Sequence, residues 1–134
     1  MSISQRLFGS WHVSFGRLGV NDAGGDYVAE ETRVVPKASL ANRYGLVCWH
    51  DRSKKFRGSI DHYLPAKPVV LHPLVDPTTV IATPRGYRVS RPAEEHIGGF
   101  VRVLRFDETD PVGAYEMDIF ANGTLISSLA YDVV

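Results

Sequence analysis

The sequence has one cysteine and no long apolar run, and these two absences limit what the chain can be. Cys48 has no second cysteine to pair with, so a disulfide within the chain is excluded. No stretch approaches the roughly 20 consecutive apolar residues that a membrane-spanning helix needs. The first residues lack the apolar centre of a secretory signal. A cytoplasmic protein that does not enter a membrane is therefore expected.

Motifs for catalysis and for cofactors are also missing. There is no Gly-x-Ser-x-Gly elbow, and the glycine pairs at 24–25 and 98–99 lack the lysine and the following helix of a phosphate loop. Cys48 lies in an apolar stretch beside Trp49, where we expect a buried and inert thiol. The sequence thus predicts a protein that is not an enzyme and binds no cofactor.

The five histidines do not have the spacing of metal ligands. The best available set of candidate ligands is Asp61, His62, His72 and Asp76. Neighbouring residues in a strand point to opposite faces, so Asp61 and His62 cannot both face one metal, and no metal site is predicted. A second set lies in the predicted loop 91–99 and consists of Glu94, Glu95 and His96. Adjacent charges in a loop are usually solvated, which leaves a small metal-dependent or hydrolytic enzyme as the weakest functional hypothesis.

The residues that are present alternate between apolar and polar with a period of two, which is typical of β-strands. A first strand near 8–18 carries Trp11, Val13 and Phe15 on one face. Trp49 lies in a nearly continuous apolar strand that we expect to be covered on both faces. Trp11 and Trp49 are predicted to anchor the core, since each buries a large apolar area.

The later strands follow the same alternation. In the segment 100–106, Arg102 falls on the same face as Phe100 and Leu104. Four prolines between 65 and 77 interrupt an apolar stretch, and this pattern predicts an extended segment at an edge of the fold. About eight short strands at this spacing indicate an all-β, two-sheet antiparallel sandwich that occupies residues 1–134 as one domain.

The last third of the chain predicts two strands joined by the turn residues Asn122 and Gly123. Asn-Gly is the strongest short-range signal for a hairpin, because a type I′ turn needs positive φ at both central positions. Tyr115 follows Pro111-Val112-Gly113, the arrangement expected of a tyrosine corner. Its hydroxyl would then bond to the backbone a few residues upstream.

The stretch Phe106 to Leu125 resembles a recurrent bacterial ending, dP-x-G-x-y-x-i-x-v-y-x-n-G, of an uncharacterised immunoglobulin-like β-sandwich domain family. Val35-Pro36, Arg43 to Leu46 and Tyr63 to Pro68 also occupy the expected places in that pattern. Leu46 stands where an aromatic residue is usual. The resemblance implies an immunoglobulin-like sandwich in bacteria or their phages, and it provides no catalytic residues.

Charge is segregated along the chain although the net charge is zero. From Arg33 to Arg57 there are seven basic residues and one acidic residue, Asp51, whereas no lysine or arginine follows Arg105. Two explanations stay open. The acidic tail neutralises basic residues within the fold, or the segregated charge steers partners.

The leading functional hypothesis is a non-catalytic module that binds another protein, or a second copy of itself, in a bacterial or phage assembly. Edge strands offer such a domain a ready means of pairing. The alternative is a nucleic-acid-binding domain, because basic and aromatic residues alternate in two stretches, although the domain is not basic overall. The candidate binding residues are Arg52, Lys54, Lys55, Phe56 and Arg57 in the first stretch, and Arg85, Tyr87, Arg88 and Arg91 in the second.

Overall fold

A computed structural model describes residues 10–38 and 41–134. These residues form eleven β-strands and one short 3-10 turn, Pro77–Thr79. The strands are β1 (Trp11–Val20), β2 (Asp26–Glu31), β3 (Val34–Val35), β4 (Arg43–His50), β5 (Lys55–Leu64), β6 (Ile81–Thr83), β7 (Gly86–Ser90), β8 (Glu94–Ile97), β9 (Gly99–Val103), β10 (Gly113–Ala121) and β11 (Thr124–Val133). The first two residues of the predicted strand 8–18 lie outside the described residues.

The strands form two sheets. One has the order β2-β1-β4-β9, and the other has the order β3-β11-β10-β5-β7-β6, with β8 paired to the first half of β5. Every pair is antiparallel except β3 with β11. The predicted two-sheet sandwich is confirmed. The described chain has more strands than the eight or so predicted, because β3 is a separate two-residue strand and β8 forms where a loop is predicted.

The core lies between the two sheets. Leu46 of β4, together with Met117 and Ile119 of β10, is completely buried. The ring of Phe15 in β1 packs on that of Tyr131 in β11, with 4.8 Å between the ring centroids. These contacts join side chains from both layers, so burial of apolar area between the sheets is the main stabilising force.

The C-terminal hairpin and the tyrosine corner are confirmed. Asn122 and Gly123 have φ values of 51° and 79°, which is the type I′ geometry between β10 and β11. The Tyr115 hydroxyl donates a hydrogen bond of 2.6 Å to the Pro111 carbonyl oxygen. Tyr115 is 2% exposed, so this bond satisfies a hydroxyl that has little access to water.

The two tryptophans differ in their placement. Trp11 packs edge-on against Phe56, at 4.7 Å between ring centroids, as a core residue should. Trp49 is 41% exposed and stacks on His12 on the outer face of the smaller sheet. The predictions that Trp49 anchors the core and that its strand is covered on both faces are wrong. Strand β4 is central within its sheet, but in the described part of the chain only its inner face is covered.

The predicted loop 91–99 is wrong for most of its length. Residues Glu94–Ile97 form β8, which pairs with Lys55 to Gly58 of β5 in the larger sheet. The chain then turns at Gly98, whose φ is 80°, and enters β9 of the smaller sheet. This crossing brings β5 and β9 to opposite sides of the same opening between the layers.

The proline-rich segment lies along that opening. Residues 65–76 form no strand or helix, and Val75 inserts a buried side chain from it. Pro68 and Leu71 face the space between the sheets. The structure agrees with the prediction of an extended segment at the edge of the sandwich. No helix in the described residues is long and apolar enough to cross a membrane.

Candidate functional site

A cleft with a volume of about 450 Å³ opens between the two sheets. Its size is within the range of roughly 300–1,000 Å³ that is usual for ligand pockets. One wall is the inner face of β5, where Ile60 and His62 lie, and the opposite wall is β9 with the residues that follow it. The proline-rich segment borders the mouth. We refer to this opening as the cleft.

The backbone edge of β9 forms part of the wall. Residues 100–106 all line the cleft, whichever way their side chains point. His50 N donates to Gly98 O and Leu104 N donates to Tyr44 O, both at 2.8 Å, so alternate residues bond to β4. The backbone groups of Val101 and Val103 therefore point to the other side, away from β4. In the described residues, β9 has no strand partner on that side.

Arg102 projects into the sandwich. It lies opposite Leu46 in the β4–β9 register, on the inner face, and its side chain is half-buried in the cleft. No residue that the structure describes forms a side-chain hydrogen bond or an ion pair with Arg102. Burial, with the nearby charge of Arg91, lowers the pKa of Arg102 to about 10. The guanidinium is therefore still charged at neutral pH, and none of the carboxylates in the described ranges pairs with it.

Two histidines and a second arginine surround that charge. Arg91 Nη1 lies 3.3 Å from His72 Nε2, and both residues line the cleft. His62, on β5, shares a hydrogen bond with the Tyr131 hydroxyl. Burial, followed by the charges of Arg102 and Arg91, lowers the pKa of His62 to about 4. His62 is thus neutral at neutral pH, so the positive charge here belongs to the two arginines.

The depressed pKa of His62 predicts a loss of stability in acid. The unfolded chain takes up a proton on this ring below its ordinary pKa of 6.5, whereas the folded protein does so only near pH 4. The free energy of unfolding must therefore fall as pH drops through that window, by at most about 3 kcal/mol for His62.

A His62→Gln variant can keep a hydrogen bond to Tyr131 but cannot titrate. We expect its urea-unfolding free energy to fall less between neutral pH and about pH 4 than that of the wild type. His50, whose pKa burial also lowers, is present in both proteins and cancels in the comparison. The same acid dependence in the two proteins would contradict the placement of His62.

The first basic stretch is largely engaged within the fold. Phe56 is 2% exposed and packs between Trp11 and Phe100, so it is a core residue. Lys54 places its ammonium 5.9 Å from the centre of the Trp11 ring. The Arg52 backbone N–H donates to His50 Nδ1 at 3.0 Å in the turn after β4.

The remaining residues of that stretch contact β8. Lys55 Nζ lies 3.3 Å from the Glu95 carboxylate, and Arg57 Nη2 donates to the Ala93 carbonyl at 2.9 Å. The Arg57 backbone N–H also donates to Asn122 Oδ1 at 2.9 Å. Contacts with neighbouring parts of the fold therefore engage both side chains.

The second basic stretch is divided. Arg85 donates to both Asp118 oxygens, at 2.7 and 2.9 Å, and to Glu116 at 3.2 Å, while its guanidinium lies 4.1 Å from the centre of the Tyr63 ring. Tyr87 and Arg88 pair with the last residues of β5. Asp118 and Glu116 of the acidic tail therefore neutralise Arg85, whereas Arg43 and Lys55 of the basic region 33–57 pair with Asp26 and Glu95, which are not in the tail.

The two basic stretches do not form one surface. The first begins β5 near Phe56, and the second lies beside its end, near Leu64. Eight residues of strand separate these points by about 26 Å. Of the residues of these two stretches, only Arg91 lines the cleft.

The structure also separates the candidate metal ligands. His62 and His72 line the cleft, whereas Asp61 and Asp76 line a different groove. Asp61 accepts a hydrogen bond from Ser90 Oγ at 2.6 Å. In the described residues, no group of three or more His, Cys, Asp or Glu side chains is arranged to hold a metal.

The candidate acid–base set is divided in the same way, because alternation along β8 turns its members to opposite sides. Glu94 and His96 line the cleft, while Glu95 pairs with Lys55 outside it. Burial raises the pKa of the Cys48 thiol to about 11, which keeps it protonated and poorly nucleophilic.

Sequence reasoning did not select Arg102, although a signal was present. Alternation in 100–106 places this cation on the same face as Phe100 and Leu104. A charged residue on the apolar face of a strand is rare unless it is paired or functional. That exception to the alternation is the feature of the sequence that points to the cleft.

One comparison with a solved structure agrees with the fold. An immunoglobulin-like protein from Pseudomonas aeruginosa matches with a TM-score of 0.51 and 16% identity, over 92% of each chain. The DNA-bound alkylpurine DNA glycosylase AlkC from Pseudomonas fluorescens matches with a TM-score of 0.34 and 10% identity. That match covers 97% of this chain but 32% of the glycosylase.

The sequence comparisons concern the family. No curated protein sequence matches the chain. The family model described as "PM0630 beta sandwich domain" matches residues 13–134, which is most of the chain. The predicted resemblance to an uncharacterised bacterial immunoglobulin-like sandwich is thereby confirmed. The chain belongs to the PM0630 beta sandwich domain family.

Proposed function

We propose that this domain is a non-catalytic binding module that receives an extended segment of another protein along β9. The observation that carries the proposal is the backbone edge of Val101 and Val103, which pairs with no strand of the described chain and borders the cleft. A partner strand added at such an edge gains main-chain hydrogen bonds, and pockets beside the edge select its side chains. The cleft is such a pocket.

The surroundings of the cleft support a protein partner. Val69, Val70 and Leu74 of the proline-rich segment are 73%, 55% and 51% exposed. Apolar side chains grouped beside a pocket are typical of a contact surface. Membership of a bacterial or phage assembly and a cytoplasmic setting belong to the same proposal, and pairing with a second copy would use the same edge.

Nucleic-acid binding is less well supported. A single-strand groove needs basic and aromatic residues along one continuous path. The two stretches lie at opposite ends of β5, and Phe56 is a core residue that cannot stack on a base.

The proposal can be tested with a random library of linear peptides displayed on phage. We expect enriched peptides whose binding weakens at least tenfold in a Val101→Pro variant, since proline removes the outward N–H, and changes less than about twofold in Val101→Thr. Amide hydrogen exchange should show new protection at Val101 and Val103 in the complex. Peptides that bind both variants equally well, or protect a different strand, would contradict the proposal.

A further inference from the structure

One cation inside the cleft, Arg102, has no ion-pair partner among the described residues. The titratable residues that line it are the arginines Arg91, Arg102 and Arg105, the acids Glu94 and Asp110, the histidines His62, His72 and His96, and Tyr115. Arg105 is exposed and falls on the strand face opposite Arg102, so Arg91 and Arg102 are the arginines that bear on the interior of the cleft. Arg102 lies on the inner face, opposite Leu46, and forms no side-chain hydrogen bond or ion pair with the described residues.

Neither of the two acidic residues that line the cleft forms an ion pair with Arg102. Asp110 accepts a hydrogen bond from the Asp107 backbone N–H at 2.7 Å, within its own turn. Glu94 is exposed, and no arginine of the described chain lies within ion-pair distance of it. Glu94 does act electrostatically on Arg91 and Arg102. Glu94 therefore offsets part of the positive charge of the two arginines but contacts neither of them closely enough to form an ion pair.

We propose that the cleft binds a carboxylate that is attached to apolar atoms, with Arg102 and Arg91 as its charged partners. This inference rests on the proposed function and names the group that a partner segment would insert beside β9. A free apolar carboxylic acid has the same chemistry and is the second source.

The shape of the guanidinium favours a carboxylate. Arginine presents parallel N–H groups that match the two oxygens of a carboxylate, and such pairs are strongest where water is excluded. A phosphate monoester carries up to two negative charges, whereas Arg102 is a single unpaired cation. Phosphate sites also use lysine or a run of backbone N–H groups, and the lining of the cleft includes no lysine.

The floor of the cleft accounts for the apolar part of the ligand. Phe100 and Leu104 lie on either side of Arg102 along the same strand face, and Ile60 and Val89 lie on the opposite wall. An acid with a short hydrocarbon chain would bury its carbons against these side chains while its oxygens meet the guanidinium. A small inorganic anion would leave that apolar surface exposed to water and would therefore bind more weakly.

The test uses hexanoate, hexanamide and hexyl phosphate as probes, and follows the Arg102 Nε–Hε resonance of the isotope-labelled full chain by NMR. We expect hexanoate to shift that resonance and to bind at least about tenfold more tightly than hexanamide. Arg102→Met should lose this binding. Arg57→Met removes an equal charge outside the cleft and should change the affinity less than about twofold. Glu94→Gln should tighten binding a few-fold.

Equal affinity for hexanoate and hexanamide, unchanged binding in a folded Arg102→Met variant, or tighter binding of hexyl phosphate would overturn the inference. If Arg102→Met fails to fold, Arg91→Met and Arg102→Lys take its place, and binding at wild-type strength in both would overturn it equally.

A peptide arm separates the two sources of the carboxylate. Each acidic residue of a library-selected peptide is replaced by its amide, and the peptide's own terminus is amidated. One of these changes should weaken binding about tenfold in the wild type and have no effect in Arg102→Met. If hexanoate binds at Arg102 and no peptide is selected, the proposed function fails while the carboxylate pocket stands. If peptides bind along β9 but every amide form binds equally well, the carboxylate pocket fails.

Discussion

Replacement of Gly45 by alanine is expected to lower the free energy of unfolding by about 3 kcal/mol. A Cβ at this position would lie 2.1 Å from the carbonyl oxygen of Arg102 in the neighbouring strand. Backbone atoms cannot move aside as a flexible side chain can, so β4 and β9 must separate. The hydrogen bonds between them would weaken, and the Arg102 wall of the cleft would shift with β9.

Urea unfolding followed by fluorescence gives the measurement, and Gly25→Ala is the matched control. The three atoms nearest to a Cβ at Gly25 all belong to the Asn21 side chain, the first at 3.1 Å, so this variant should remain within about 0.5 kcal/mol of the wild type. Equal stability of the two variants would show that β9 does not pair with β4 as described.

Truncation of Phe56 to alanine is expected to cost about 3–5 kcal/mol. Phe56 is 2% exposed and contacts Trp11 and Phe100, so its removal leaves a cavity where the start of β5 meets the smaller sheet. The result also separates two functional hypotheses. A ring that stacked on nucleic acid would be exposed, and its loss would leave stability unchanged.

The control for this variant is Lys55→Ala, one position earlier in the same strand. Lys55 is exposed and its ion pair with Glu95 is solvated, so the change should stay within about 0.5 kcal/mol. Phe56→Leu should lose less than Phe56→Ala because it refills part of the cavity. If Phe56→Ala were as stable as Lys55→Ala, Phe56 would have to be exposed, and the nucleic-acid hypothesis would again be open.

Several features could be predicted from the sequence because they depend on a few neighbouring residues. The type I′ turn requires positive φ at two successive positions, and Asn122-Gly123 meets that requirement with little strain. The bond from Tyr115 to Pro111 spans four residues, so the local sequence specifies it. Alternation placed Trp11, Val13 and Phe15 on one face because side chains of a strand project to opposite sides in turn.

Other features depended on which strands meet. Trp49 has the same apolar neighbours in sequence as a residue covered on both faces, yet no described element covers its outer side. The segment containing Glu94 and His96 became a strand because the first half of β5 was free to pair with it. Neither outcome is contained in local propensity, since both follow from the presence or absence of a distant partner.

The sequence by itself determined that the chain forms strands and where its hairpin turns. Each of these is a property of short segments. Only the tertiary structure decided that Arg85 is neutralised by Asp118 while Arg102 is left facing an open cleft. Electrostatic energy depends on distance through space rather than along the chain, so identical arginines acquire opposite roles when the sheets close.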